Sequence, residues 1–247
     1  MTVVLEAKEL TKVYNGVTAV DHLNLEVKEG EIFGFLGPNG SGKTTAILMF
    51  MGLTEPTEGS VRVLGFDPVN EPLEVKKRVG YLPEHVGFYY DMTGRENLMY
   101  VAKLNGLQRE EAQRRIEDAL RTVGLAEEGD KLVGAYSRGM RQRLGLAELL
   151  IKEPRLVFLD EPTLGLDPDG IVRMLDLIAN LSRQRNITVF FSSHLLNQVE
   201  RISTRVGIML NGKLVACGTI EELKQTAGVE ARSLEDVYQH FFVRASS

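Results

Sequence analysis

The chain contains one cysteine, Cys217, so no internal disulfide can staple it, and a reducing compartment suits it. That residue is expected as a small buried hydrophobe rather than a reactive thiol. Basic residues are in deficit, with 29 Lys and Arg against 34 Asp and Glu and a formal net charge of −5. This balance argues against nucleic-acid binding, because no cationic excess is available to neutralise phosphates. No stretch approaches the roughly 18 uncharged apolar residues of a membrane-crossing helix. The opening residues Met1 to Glu6 lack a basic segment followed by an apolar one, so no secretory signal is expected. The sequence also shows no repeats or low-complexity tracts. What it does have is 43% hydrophobic and 26% charged residues over 247 positions. That is enough for a sizeable core in one large or two small domains. The expected place is the cytoplasm, unless a partner recruits the protein elsewhere.

One motif dominates. The run Gly37, Pro38, Asn39, Gly40, Ser41, Gly42, Lys43, Thr44, Thr45 fits the pattern G-x-x-x-x-G-K-S/T. It follows the apolar stretch Ile32–Leu36 and precedes Ala46–Met51, which contains no helix breaker. A strand before and a helix after are the context a phosphate-binding loop requires. Glycines let successive backbone N–H groups turn inward around phosphate oxygens, and the helix N-terminus adds a favourable dipole. Lys43 is expected on the β- and γ-phosphates, and the Thr44 hydroxyl on Mg²⁺. At ordinary residue frequencies the pattern arises by accident in roughly one in a hundred chains of this length. The context lowers that further, so a nucleoside triphosphate is the expected ligand.

The remaining periodicities predict an α/β protein. Leu23, Leu25 and Val27 alternate with polar residues, as in a half-buried strand. Gly59–Gly65 and Val79–Pro83 read as further strands. From about residue 93 the pattern turns helical. Thr93 with Glu96 is a capping-box signature, a second helix runs near Arg109–Val123, and a third follows Ser137. Leu156–Leu159 and Ile187–Phe191 are short, nearly all-apolar runs of the kind a parallel sheet buried on both faces needs. Asn211-Gly212 marks a two-residue hairpin.

Further chemistry sits at predicted element ends. Leu156–Leu159 leads into Asp160-Glu161, where one carboxylate can hold Mg²⁺ and the next can polarise an attacking water. His194 follows the Ile187–Phe191 strand and could hydrogen-bond the γ-phosphate and that water. Tyr136–Gln142 places Ser137 and Gly139 at a helix start, a second anion-binding end. Ser137 would serve as a helix N-cap in any case. His22, His85 and His240 have no comparable setting.

With these motifs in this order, the chain resembles the ATP-binding subunit of an ATP-binding cassette (ABC) transporter over about residues 3–225. The resemblance implies a P-loop NTPase cassette with a RecA-like parallel-sheet core, an N-terminal antiparallel β subdomain and an α-helical subdomain at about 86–150. A C-terminal amphipathic helix or tail would occupy 226–247. Gly37–Thr45 is similar to Walker A and Leu156–Glu161 to Walker B. Tyr136–Gln142 resembles the signature, Leu164–Asp167 the D-loop, and His194 the switch histidine. Tyr14 resembles the aromatic that stacks on adenine. Glu84 stands where the family has a magnesium-ligating glutamine.

Arg138 replaces a signature glycine, where a cation would strengthen anion binding or slow reopening. A carboxylate at Glu84 remains a hard ligand but adds negative charge near the γ-phosphate. These departures resemble the multidrug, antibiotic and copper-linked (ABC-2 type) export branch. That branch implies ATP and Mg²⁺ as cofactors and a separate permease with about six membrane helices. It also implies a head-to-tail dimer, expected to be a homodimer, in which Ser137, Arg138, Gly139 and Asp167 meet the partner's ATP. The protein would then lie on the inner face of the cell membrane. A soluble ABC ATPase of the iron–sulfur assembly type is the alternative. The permease surface would be drawn from Val86, Phe88, Tyr89, Tyr90, Met92, Met99 and Tyr100, about half of them core.

Overall fold

The computed structural model describes residues 2–227 and 233–245. Most of the chain is built on two sheets. A long hairpin, β1 (Val3–Tyr14) and β2 (Val17–Lys28), pairs antiparallel and adds β4 (Glu58–Val63) antiparallel on the other edge of β1. The second sheet contains β3 (Ile32–Leu36), β5 (Val79–Leu82), β6 (Leu156–Asp160), β7 (Thr188–Ser193), β8 (Arg205–Leu210) and β9 (Lys213–Gly218). Its order is β5-β6-β7-β3-β8-β9, parallel from β5 to β8 and antiparallel at the β9 edge. That edge follows from the tight turn at Asn211 (φ 49°) and Gly212 (φ 82°), whose paired positive φ angles are those of a type I′ hairpin.

The central parallel strands β3, β6 and β7 are buried along their length, which explains their mostly apolar composition. Helix α1 (Lys43–Phe50) lies between the sheets. It buries Ala46, Ile47, Met49 and Phe50 in a core shared with Val4, Leu23 and Val61 of the antiparallel sheet and with Phe33, Phe158 and Phe190. Phe190 is the hub, with ring centroids 5.3 Å from Phe33, 5.1 Å from Phe35, 5.6 Å from Phe50 and 5.6 Å from Phe158. Each such pair contributes about 0.5–1.5 kcal/mol beyond the area it buries.

The opposite face of the larger sheet carries the helical layer. It includes α3 (Gly94–Leu104), α4 (Arg109–Thr122) and α5 (Arg138–Leu150), within the expected 86–150 span. Thr93 caps α3 through a full capping box with Glu96. Four helices are not among those expected from the sequence: α2 (Pro72–Arg78), α6 (Pro168–Arg185), α7 (Leu196–Ile202) and α8 (Ile220–Ala227).

At the C-terminal end, α8 (Ile220–Ala227) and α9 (Leu234–Ala245) follow β9. Leu234 and Val237 of the expected apolar stripe are fully buried in the protein's own core, with Tyr238 and Phe241 packed against it, while Phe242 is largely exposed. Ser233 and Asp236 exchange capping hydrogen bonds at its start. Of the expected 226–247 tail, residues 228–232 and 246–247 lie outside the described residues. Cys217 corrects an expectation. It is exposed on β9, and its Sγ lies 3.6 Å from an Arg205 nitrogen.

Candidate nucleotide site

The loop from Gly37 to Gly42 leaves the C-terminal end of β3 and enters α1. Its backbone is tightly specified. Gly42 has φ 100°, and a Cβ there would meet the Ala19 carbonyl oxygen at 2.3 Å; one on Gly37 would meet the Met209 carbonyl oxygen at 2.4 Å. Only glycine satisfies both the angle and the contact at Gly42. Lys43 folds back over this loop, and its Nζ donates to the carbonyls of Gly37 (2.8 Å) and Pro38 (3.1 Å). Burial pushes the Lys43 ammonium below the ordinary lysine value, while Glu161, Asp160 and Glu84 pull the other way.

Three neighbouring strand ends converge on the loop, because parallel strands deliver their C-terminal ends to one edge. Asp160 closes β6, and its Oδ2 accepts a 2.8 Å hydrogen bond from the Thr44 hydroxyl. Its Oδ1 accepts one of 2.5 Å from Ser192, whose Oγ in turn accepts from the Glu161 backbone N–H at 3.0 Å. Glu161 itself has φ 48°, a left-handed angle that costs a non-glycine residue about 1–3 kcal/mol. Its Oε2 lies 3.0 Å from Nδ1 of His194, which follows β7. Its Oε1 is buried, has no hydrogen-bond partner and lies 3.7 Å from the Lys43 Nζ.

The resulting cleft of about 260 Å³ is lined by Ala19, Asn39, Gly40, Gly42, Lys43, Thr44, Thr45, Glu84 and Glu161. Its chemistry fits a polyphosphate. It offers a helix N-terminus, a lysine and a loop with open space above Gly40. Ser41, between the lining residues Gly40 and Gly42, keeps its hydroxyl buried without a hydrogen-bond partner. Tyr14 stands apart from this lining at the end of β1. It is 43% exposed, with the Lys12 Nζ 4.9 Å from its ring centre. Tyr81 of β5 is pushed up to about 12 by burial, with Asp160 and Glu84 adding to the effect, so it remains a neutral phenol at working pH.

A second cleft, of about 300 Å³, shares no lining residue with the first. Ser137, Arg138, Gly139, Met140 and Arg143 of the α5 start face Gly165, Leu166, Asp167, Gly170 and Arg173 across it. Ser137 is the α5 N-cap, and its Oγ accepts from the Met140 N–H at 3.2 Å. The Arg138 guanidinium lies directly over Gly165, where a Cβ would meet its Cζ at 2.5 Å. The surface following Glu84 divides. Val86, Phe88 and Met99 pack against the core, while Tyr89, Tyr90 and Tyr100 are exposed.

Ser192 and Ala19 had no assigned part in the sequence reading. Only Ser192 carries a signal, its position near the strand end two residues before His194.

The fold and the paired clefts define a nucleotide-binding cassette. Residues 20–164 match the ABC transporter family, and the chain belongs to it. It is 45% identical over 225 residues to the bacitracin transport ATP-binding protein BcrA of Bacillus licheniformis, covering 91% of this chain and 72% of that one. It is 37% identical over 224 residues to the daunorubicin/doxorubicin resistance ATP-binding protein DrrA of Streptomyces peucetius, covering 91% of this chain and 68% of that one. A solved structure of the ATP-binding subunit of an ABC transporter superposes with a TM-score of 0.86 at 30% identity, over 97% of this chain and 99% of the other. Among the described residues no helix is long and apolar enough to cross a membrane.

Proposed function

We propose that this chain is the ATP-hydrolysing subunit of an exporter, working as a head-to-tail pair against a separately encoded permease at the inner face of the membrane. The observation that carries the reading is the division of the site. Lys43, Thr44, Asp160 and Glu161 gather at one cleft, and Ser137, Gly139 and Asp167 gather at another. In a head-to-tail pair the second cleft of each copy would cover the first cleft of the other. The BcrA and DrrA relatives, named for bacitracin transport and drug resistance, favour export.

In this reading Lys43 and the loop N–H groups hold the β- and γ-phosphates. The Glu161 carboxylate takes a proton from the attacking water, and His194 keeps that carboxylate aimed through its 3.0 Å contact. Thr44, Asp160 and Glu84 would hold Mg²⁺. Among the described residues no three His, Cys, Asp or Glu side chains form a metal cluster, so phosphate oxygens and water would complete its shell. When bound, the cation neutralises charge building on the phosphates. Ser137 and Gly139 would cap the partner's γ-phosphate, so hydrolysis would loosen the pair and reset the permease. Tyr89, Tyr90 and Tyr100 supply aromatic anchors of the kind that dominate protein interfaces.

Affinity purification of the tagged protein from gently solubilised native membranes tests this. A stoichiometric polytopic membrane protein is the expected partner. Recovery with soluble proteins only would turn the reading toward a permease-free assembly ATPase.

A further inference from the structure

Gln198 lies on α7, the helix that follows His194, and only 3% of it is exposed. Its amide oxygen accepts two hydroxyl hydrogen bonds. One comes from Thr163 at 2.5 Å, the other from Ser193 at 3.3 Å. Thr163 and Ser193 are themselves buried, and each sits beside a residue of the proposed chemistry. Thr163 belongs to the turn that leaves Glu161, where the Leu164 N–H closes on the Glu161 carbonyl at 3.0 Å. Ser193 precedes His194, and its Oγ also accepts from the Leu195 N–H at 3.0 Å. The Gln198 oxygen is therefore the meeting point of the two segments that carry Glu161 and His194.

We infer that Gln198 is a positioning residue. Its amide oxygen ties the segment after β6 to the segment after β7 and thereby fixes the Glu161–His194 contact. The inference rests on the reading of Glu161 and His194 as the hydrolytic pair. Two physical considerations support it. A polar side chain this deeply buried is stabilising only when its hydrogen bonds are made, so its geometry is strongly determined. Glu161 also sits at a strained backbone angle, which persists only where its surroundings over-determine it. The Ser192–Asp160 bond secures β7 to β6 one residue earlier, but nothing in it constrains the chain beyond Glu161.

The test uses Gln198→Met, which keeps the length and volume but removes the acceptor, and Gln198→Glu, which restores one. Gln198→Met should lower kcat for ATP hydrolysis by up to about 100-fold, the scale of a misplaced reacting group, with KM for ATP little changed. Combined with His194→Ala it should add almost nothing further. In the nucleotide-free protein, the ¹⁵N resonance of His194 Nδ1 should move toward its position in Glu161→Ala. With only four histidines in the chain, assignment is direct. Gln198→Glu should recover part of both readouts. Additive losses with His194→Ala, or an unmoved resonance with wild-type kcat, would overturn the inference. Should Gln198→Met fail to fold, Thr163→Val, which removes the shorter of the two hydrogen bonds from its donor side, carries the test with the same readouts. Absence of hydrolysis in the wild-type protein would instead overturn the functional reading beneath it.

Discussion

Nδ1 of His194 lies 3.0 Å from Oε2 of Glu161, although the two residues follow different strands. The other carboxylate oxygen faces Lys43 without a hydrogen bond. Glu161→Gln should therefore reduce phosphate release by about 10²–10⁴-fold while leaving ATP affinity intact. With ATP and Mg²⁺ the variant should accumulate as a dimer in size-exclusion chromatography. Wild-type turnover in this variant would assign the proton transfer to another group.

Ser137 is the α5 N-cap and, in the proposed function, also caps a partner's γ-phosphate; one substitution distinguishes the two. Aspartate is as good an N-cap as serine and is favoured by the helix dipole, so Ser137→Asp should keep or raise the melting temperature. A carboxylate facing a partner's γ-phosphate would repel it, so ATP-driven dimerisation and hydrolysis should be lost. Ser137→Ala should instead cost about 1 kcal/mol of stability. Normal dimerisation and turnover in Ser137→Asp would leave the residue as a helix cap alone.

Gly42→Ala combines a left-handed angle with a contact to the Ala19 carbonyl oxygen at 2.3 Å. Backbone at that distance cannot yield as a flexible side-chain tip would. The expected cost is about 1–3 kcal/mol in chemical denaturation, with nucleotide binding lost in titration calorimetry. An unchanged affinity would mean that the loop reshapes freely.

Stability should also depend on pH through α5. Burial raises the Glu148 carboxyl above its ordinary value of 4.5, with Lys152 one turn on pulling against it. The folded protein thus holds this proton more tightly than the unfolded chain. That preference stabilises the fold below the ordinary value and is lost as pH rises through the folded value. At neutral pH the ionised group is a cost. Glu148→Gln should raise the melting temperature near pH 7, and the gain should vanish below pH 4.5. A pH-independent difference would contradict this origin.

The loop at Gly37–Thr45, the Thr93–Glu96 cap and the Asn211-Gly212 hairpin were legible because each is written in consecutive residues with a single steric solution. Asp160 and Glu161 were legible because a parallel strand ends where its apolar run ends. Helix α6 left a signal that was passed over. Pro168 occupies the first helical turn, and Met174, Leu175, Ile178 and Leu181 are its buried face. The bonds that organise the site were not readable. Thr44 and Asp160 were expected on one Mg²⁺, but their direct hydrogen bond, like that of Thr163 to Gln198, spans a long stretch of chain, and no local pattern encodes which hydroxyl faces which acceptor. The fate of Arg138 was equally hidden, since a surface arginine gives no indication that it will lie on Gly165.

Phe190 touches rings from β3, β6 and α1 at once, and those elements carry the phosphate loop, the acidic pair and Thr44, while its own strand leads to His194. A dry aromatic plug of this density is nearly incompressible. The strand and helix ends that carry the site consequently share one rigid anvil, while the side chains beyond those ends are aimed by their own hydrogen bonds. Movement during a turnover cycle is left to the segments ahead of the anvil and to the helical layer at its side. Wear on the machine, in the sense of tolerated sequence change, should accumulate there first.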